Sequence, residues 1–398
     1  MTSPKLPESD STSLHLCHPT PEECVTIWTD VSASWKDSLT LPAFIRESVL
    51  LTTVPLAKDG GMTQWILVEQ DQPPNHRHIL ASCESFRKRS LQSDQNGNTK
   101  EAIIHGIASV FCAPQYRRRG YAGRLMAEMA KALRSWQAES GTPNMGSILY
   151  SDIGKEYYDK LGWRPNQTNF HLEFPLGDVE WPSSVRPVAT DEIADLCRRD
   201  EIMVREAMSA PEPFIKTRAM ILPDADHMLW HIAKEEFASK FIFGGKIPDI
   251  KGAIAGRPGK QVWAIWTRRY YDHPDAQSPN NVLYILRLVI EPDKTANKPF
   301  PCVNSEDAAA ATDPDVLESF ESVIQAAQHQ AKAWRLNRVK IWEPSVLAQR
   351  LIDESSLKYE KIERETDCIA SCLWFGDRES DCLTEEPVLI NNEHYAWC

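Results

Sequence analysis

The sequence predicts an α/β protein built on mixed sheets, and three observations predict it. Strand-length runs rich in β-formers alternate with amphipathic helical stretches from residue 14 onward. The run at 105–112 passes through Ala113-Pro114 and a basic turn, Arg117-Arg118-Arg119-Gly120-Tyr121-Ala122-Gly123, into a helix that turns Leu125, Met126, Met129 and Leu133 to one side. After residue 188 the order strands, long helix, strand, helix, strand comes round again. With 398 residues the chain exceeds one ordinary domain, so two are expected.

Taken in order, residues 1–13 are polar and read as a disordered N-terminus. Residues 14–18 form a short first strand. A helix starts at Pro21 and runs through Trp28 and Val31, with Thr20 as its N-cap. Residues 41–51 give a second helix. Strands at 63–69 and 79–86 flank a turn at Pro73-Pro74-Asn75, and 90–100 reads as a polar excursion before the fourth strand, 105–112. Beyond the basic turn and its helix, 147–150 is a strand and 170–174 closes the first sheet. The proline-rich stretch 175–187 marks the linker between a first domain, 14–174, and a second, 188–398. In the second, helices are expected at 191–208, 224–241 and 314–336, and strands at 251–255, 261–270, 282–290, 338–342 and 368–375.

The basic turn suits a pyrophosphate. Free backbone N–H groups point out of the helix start, Gly120 and Gly123 let the chain come close, and the arginines add charge. It resembles the (Gln/Arg)-x-x-Gly-x-(Gly/Ala) acetyl-coenzyme A loop of the GNAT acyltransferase superfamily. A second feature stands at that superfamily's spacing: the strand 147–150, then Tyr157-Tyr158-Asp159-Lys160-Leu161-Gly162-Trp163, similar to its Tyr-x-x-Leu-Gly-Phe segment. The two motifs and their strands cover roughly residues 103–165.

The resemblance implies a GNAT fold followed by a second, degenerate GNAT-like domain. It implies acetyl-CoA as co-substrate, held by Val110, Cys112, Arg117, Arg118, Arg119, Gly120, Tyr121, Ala122, Gly123 and Arg124, with the backbone near Val110 and Cys112 meeting thioester and pantetheine. Tyr158 takes the superfamily's usual acid position, and Tyr157 is its neighbouring alternative. In the second half the matching segment, 291–313, carries acidic residues and prolines in place of a phosphate loop, so no second cofactor site is expected there. Together with the ending Asn392-Glu393-His394-Tyr395-Ala396-Trp397-Cys398, the chain resembles the fungal lysine acetyltransferases of lysine degradation. That resemblance implies a small cationic amine, free L-lysine, as substrate of a cytoplasmic enzyme. A polyamine or aminoglycoside is the runner-up acceptor. A non-catalytic acyl-CoA-binding protein is the alternative from another class.

Chemistry narrows the remaining residues. A lysine ε-amine has a pKa of about 10.4, so freeing its lone pair at pH 7 costs roughly 4.6 kcal/mol. A base must take that proton, and the departing thiolate wants one. Tyr158 is the candidate acid. The base candidates are His105 at the start of the fourth strand, Glu84 on the third, and the carboxylate of Cys398. Glu393 and Cys398 are expected to bring negative charge to the amine site on a tail anchored by Tyr395 and Trp397.

Composition excludes other classes. A net charge of −12 argues against a general nucleic-acid or anionic-membrane binder and favours a cationic substrate. Ten cysteines without framework spacing read as reduced thiols, and no apolar run approaches a membrane span. His227 and His231 stand four apart but have no third ligand in view, so no metal site is expected.

Overall fold

The computed structural model describes residues 6–139, 141–293, 296, 298, 313–376 and 386–397, and two mixed sheets carry the fold among them. The first half runs β1 (Leu14–Cys17), α1 (Pro21–Trp35), α2 (Leu41–Leu51), β2 (Met62–Glu69), β3 (Ala81–Asp94), β4 (Thr99–Phe111), α3 (Tyr121–Leu133), β5 (Asn144–Ser151), α4 (Glu156–Asp159) and β6 (Arg164–Pro165). The second runs β7 (Phe170–Pro175), β8 (Arg186–Val188), α5 (Ile193–Met208), β9 (Thr217–Ile221), α6 (Ala225–Ile242), β10 (Gly252–Ala255), β11 (Val262–Arg269) and β12 (Val282–Ile290). It ends with α7 (Pro314–Ala333), β13 (Arg338–Trp342), α8 (Val346–Glu354), β14 (Glu360–Glu363), β15 (Ile369–Trp374) and β16 (Val388–Ile390).

Helix α1 begins where its sequence says it should. Thr20 accepts from the Glu23 N–H while the Glu23 carboxylate accepts from the Thr20 N–H, and Pro21 fills a position whose N–H has no helical partner. The helix buries Ile27, Trp28 and Val31 against Ile66 and Val68 of β2 and Phe111 of β4.

The two halves share one strand plan. In the first, β2, β3 and β4 are antiparallel, and β4 runs parallel to β5 from Ile103 opposite Asn144 to Ile107 opposite Leu149, after which the two strands part. In the second, β10, β11 and β12 are antiparallel, and β12 runs parallel to β13 from Val282 opposite Arg338 to Ile285 opposite Ile341. Helices α3 and α7 hold the same place in each plan.

Three expectations are corrected. Phe170–Pro175 does not close the first sheet. It pairs with β13 and β14 in the second, while β15 from the far end of the chain lies against β5 and β6 in the first. The stretch 175–187 therefore does not separate the sheets. Side chains explain the choice: Phe170, Leu172 and Phe174 enter the core around α7, and Glu173 on the opposite face meets Arg338 at 2.6 Å and Lys340 at 2.8 Å on β13. The polar run 90–100 is no excursion but the tip of a long β3–β4 hairpin, because β9 pairs along Ser90 to Asp94. Buried Arg218 of β9 satisfies Ser93 Oγ at 3.0 Å, so polarity there marks a partner strand, not solvent. Finally, residues 6–13 pack on α3: Tyr121 donates to the Pro7 carbonyl at 2.5 Å, and Arg124 to the Ser9 carbonyl at 3.1 Å.

Apolar residues of both sheets, among them Ile104, Ile148, Trp263 and Leu286, meet in one core, and Tyr395 of the tail lies inside it.

Candidate active site

Where β4 leaves β5 a groove of about 630 Å³ opens, bounded by Val110, Cys112, Arg118, Gly120, Tyr121 and Ala122 on one side and by Trp35, Ile153 and Tyr157 on the other. The turn after β4 is shaped for an anion. Arg118 (φ 62°) and Gly120 (φ 83°) are both left-handed, and Gly120 caps α3 with no side chain to take up its first N–H groups. A Cβ on Gly120 would stand 2.6 Å from Ser9 Oγ, so the N-terminal segment adds to the demand for glycine. The arginines divide. Arg117, Arg118 and Arg119 are all exposed; Arg117, at the groove, also donates to the Cys112 carbonyl at 2.9 Å and lies over the Phe111 ring, while Arg124 pairs with Glu128 at 2.9 Å. Arg119, Gly123 and Arg124 do not line the groove.

The groove shares Trp35, Val110, Asp152 and Ile153 with a cavity of about 220 Å³ between the first sheet, α1, α2 and α6. Its walls include the aromatic residues Trp28, Phe44, Phe86, Trp230 and Trp397 among aliphatic ones, and its polar groups include Glu84, Glu47, Asp152, Lys234, Arg269 and Tyr158.

Glu84 faces this cavity from β3, opposite an irregularity in the β3–β4 register that includes left-handed Ser109 (φ 52°). Ser109 Oγ donates to Glu84 Oε2 at 3.1 Å and Gln64 Nε2 to Oε1 at 3.3 Å. Burial pushes the Glu84 carboxyl above the usual range, against the pull of Ser109, Trp28 and the charge of Lys234. Tyr158 of α4 lines the same cavity, and burial raises its pKa above the ordinary phenol value. Tyr157 turns to the groove instead.

His105 does not join them. Fully buried on β4, it holds Gln137 Oε1 at 3.0 Å and Asn144 Nδ2 at 2.8 Å, and burial lowers its pKa to about 4 despite those bonds. Both of its ring nitrogens are thus engaged, and it is not among the residues that line the cavity. Cys398 lies outside the described residues, as does most of the segment 291–313. Glu393 is buried on Arg287 of β12, away from the cavity, while Trp397 reaches its wall. His227 and His231 are both buried, bonded to Asp224 Oδ1 at 2.7 Å and the Tyr395 carbonyl at 3.2 Å.

Sequence reasoning missed Glu47, Lys234 and Arg269. Glu47 carried a readable signal, because it interrupts the inward stripe Phe44, Glu47, Leu51 of α2 with a carboxylate. Arg269, at the end of β11, carried none.

A family model described as the LYC1 GNAT-like C-terminal domain matches residues 171–398. A curated lysine acetyltransferase of Yarrowia lipolytica is 23% identical over 265 residues, covering 56% of this chain and 64% of that protein. An uncharacterized protein of Saccharomyces cerevisiae is 21% identical over 267 residues, covering 58% and 65%. The match thus spans a little under two-thirds of either relative. Among solved structures, a GCN5-related N-acetyltransferase from Anabaena variabilis is 11% identical with a TM-score of 0.51, over 90% of this chain and 72% of that one. Saccharomyces cerevisiae N-myristoyltransferase with bound myristoyl-CoA is 8% identical, also with a TM-score of 0.51, over 94% and 82%. These two likenesses are likenesses of fold.

Proposed function

The chain belongs to the LYC1 GNAT-like family, and from that premise we propose that it moves the acetyl group of acetyl-CoA to the ε-amine of free L-lysine. The observation that carries this reading is the cavity itself: the Glu84 carboxylate and the buried Tyr158 phenol share a chamber, lined in part by aromatic rings, that meets the groove where β4 and β5 part. The name of the Yarrowia lipolytica relative supports lysine as the acceptor.

The groove takes the co-substrate. The left-handed turn at 118–120 and the free N–H groups of α3 hold the pyrophosphate, with Arg117 and Arg118 adding charge, and the strand end at Val110 and Cys112 receives the pantetheine arm. The thioester then lies at the mouth of the cavity.

Glu84 takes the proton of the incoming ammonium. Its raised pKa narrows the gap to the amine, which helps a carboxylate act as base. The freed lone pair attacks the thioester carbonyl, and the tetrahedral adduct collapses by breaking the C–S bond. Tyr158 remains neutral at neutral pH, because burial raises its pKa, so it meets the leaving sulfur as a donor. Aromatic walls exclude water from the thioester, favouring aminolysis over hydrolysis.

Mass spectrometry of L-lysine, spermidine and a lysine-containing peptide incubated with the protein and acetyl-CoA tests the reading. Singly acetylated lysine carrying the group on its ε-nitrogen is the expected product. Acetylation of spermidine or peptide with lysine untouched would replace the acceptor, and no product from any of the three would make the protein a binder.

A further inference from the structure

The cavity holds more charge than acetyl transfer needs. Glu47 of α2 is 2% exposed, pairs through Oε2 with Lys234 at 2.7 Å, and has no partner for its buried Oε1 among the described residues. Arg269 gives Nε and NH2 to Asp37 at 3.0 and 3.4 Å, leaving NH1 with no partner among the described residues. Its guanidinium carbon lies 4.4 Å from the centre of the Tyr271 ring and 4.7 Å from that of Trp397, so two rings hold it.

These groups sit together. Glu47, Lys234, Arg269 and Trp397 also line an adjoining space of about 30 Å³ that neither Glu84 nor Tyr158 reaches. The chamber therefore has carboxylates at Glu84 and at Asp152, which it shares with the groove, and, at the end that meets the adjoining space, the Glu47–Lys234 pair and Arg269.

We propose that this far end is the head-group site for an α-amino acid, Glu47 Oε1 accepting from the α-ammonium and Arg269 NH1 donating to the α-carboxylate. The proposal rests on the lysine reading above and deepens it. The two pairs, Glu47 with Lys234 and Asp37 with Arg269, cancel in charge while each leaves one open valence, of opposite kinds. A zwitterion fills both and adds no net charge. A second ammonium, as in a diamine or polyamine, would satisfy Glu47 but face Lys234 and Arg269, and a peptide would bring neither terminal charge. Glu47 and Arg269 are thus specificity residues, and Tyr271 and Trp397 position Arg269.

Three acceptors that share the ε-amine test this: L-lysine, 6-aminohexanoate without the α-ammonium, and cadaverine without the α-carboxylate. Glu47→Gln should lower the ratio of kcat/KM for lysine over 6-aminohexanoate by about tenfold or more, as the loss of a charged hydrogen bond would. Arg269→Lys keeps a cation for Asp37 but has no second donor fork, and should lower the ratio of lysine over cadaverine by a similar factor. If Glu47→Gln fails to fold, the Arg269→Lys ratio decides alone. Equal losses on both members of a pair would make the residue structural and overturn the assignment. A wild type that treats all three acceptors alike overturns the head-group site while leaving the acetyl transfer intact. One that binds coenzyme A but acetylates none of them overturns the lysine reading and this site with it.

Discussion

In the proposed mechanism Tyr158 and Glu84 divide the proton traffic, and those roles separate in kinetics. Tyr158→Phe removes a donor that acts when sulfur departs, so kcat should fall about 100-fold or more with acetyl-CoA affinity nearly unchanged. A loss below about threefold would pass the role to water or to Tyr157. Glu84 is tested by pH. Its pKa is raised by burial, so the carboxyl is protonated and idle as a base below that pKa, and activity climbs as pH rises through it. The profile of kcat/KM for lysine should therefore show a rising limb above the ordinary carboxylate range. Glu84→Gln should abolish that limb and lower the plateau about 100-fold. A limb that survives the substitution would belong to the amine.

At the scale of the element, α1 carries Trp28 and Val31 to the cavity, and Glu23 fixes where the helix starts. Its carboxylate accepts from the backbone of Thr20 and Asn75 and from Arg77 Nε, each at 2.9 Å. Burial pushes the carboxyl up, but these partners outweigh it and hold the pKa at about 2, against an ordinary 4.5. A depressed pKa contributes stability that is whole above 4.5 and lost as pH falls toward 2. Glu23→Gln should cost about 1–3 kcal/mol at pH 7 and flatten the acid limb of the unfolding curve; equal midpoints at pH 7 would show the cluster to be idle. Elements of this kind were legible, because Thr20, Pro21 and Glu23 act within one turn, and Gly120 acts on the helix it opens. The cofactor turn was read from six consecutive residues for the same reason. What the sequence hid was pairing at a distance. Nothing near Phe170 or Ile369 states which sheet each strand joins, and the polarity of Ser90 and Ser93 looked like solvent exposure until β9 covered it.

Over the whole molecule the two halves are one unit, the first sheet taking in β9, β15 and β16 from the second half, with the tail packed into their shared core. Lys88 donates to the Ala396 carbonyl at 3.0 Å, and Tyr395 donates to the Ile221 carbonyl at 2.5 Å. The second half repeats the strand plan of the first. Where β12 leaves β13, the Leu288 N–H is taken by Glu393 Oε1 at 3.2 Å, and Arg287 beside it binds Asp200 and Glu393. The tail thus fills the place that a thioester arm would need. Calorimetry should find one coenzyme A per chain; two equivalents would contradict this. The tail's aromatic residues pointed correctly to burial, but of its two anions Glu393 does not line the cavity, because Arg287, more than a hundred residues earlier, claims it, and Cys398 lies outside the described residues. The account as a whole stands on one chamber receiving both substrates. A crystal structure of the protein soaked with coenzyme A and L-lysine tests it most directly. The account predicts pyrophosphate at Arg118 to Ala122, the ε-nitrogen beside Glu84 and the α-carboxylate at Arg269. Coenzyme A bound along β12, or lysine outside this cavity, would contradict it.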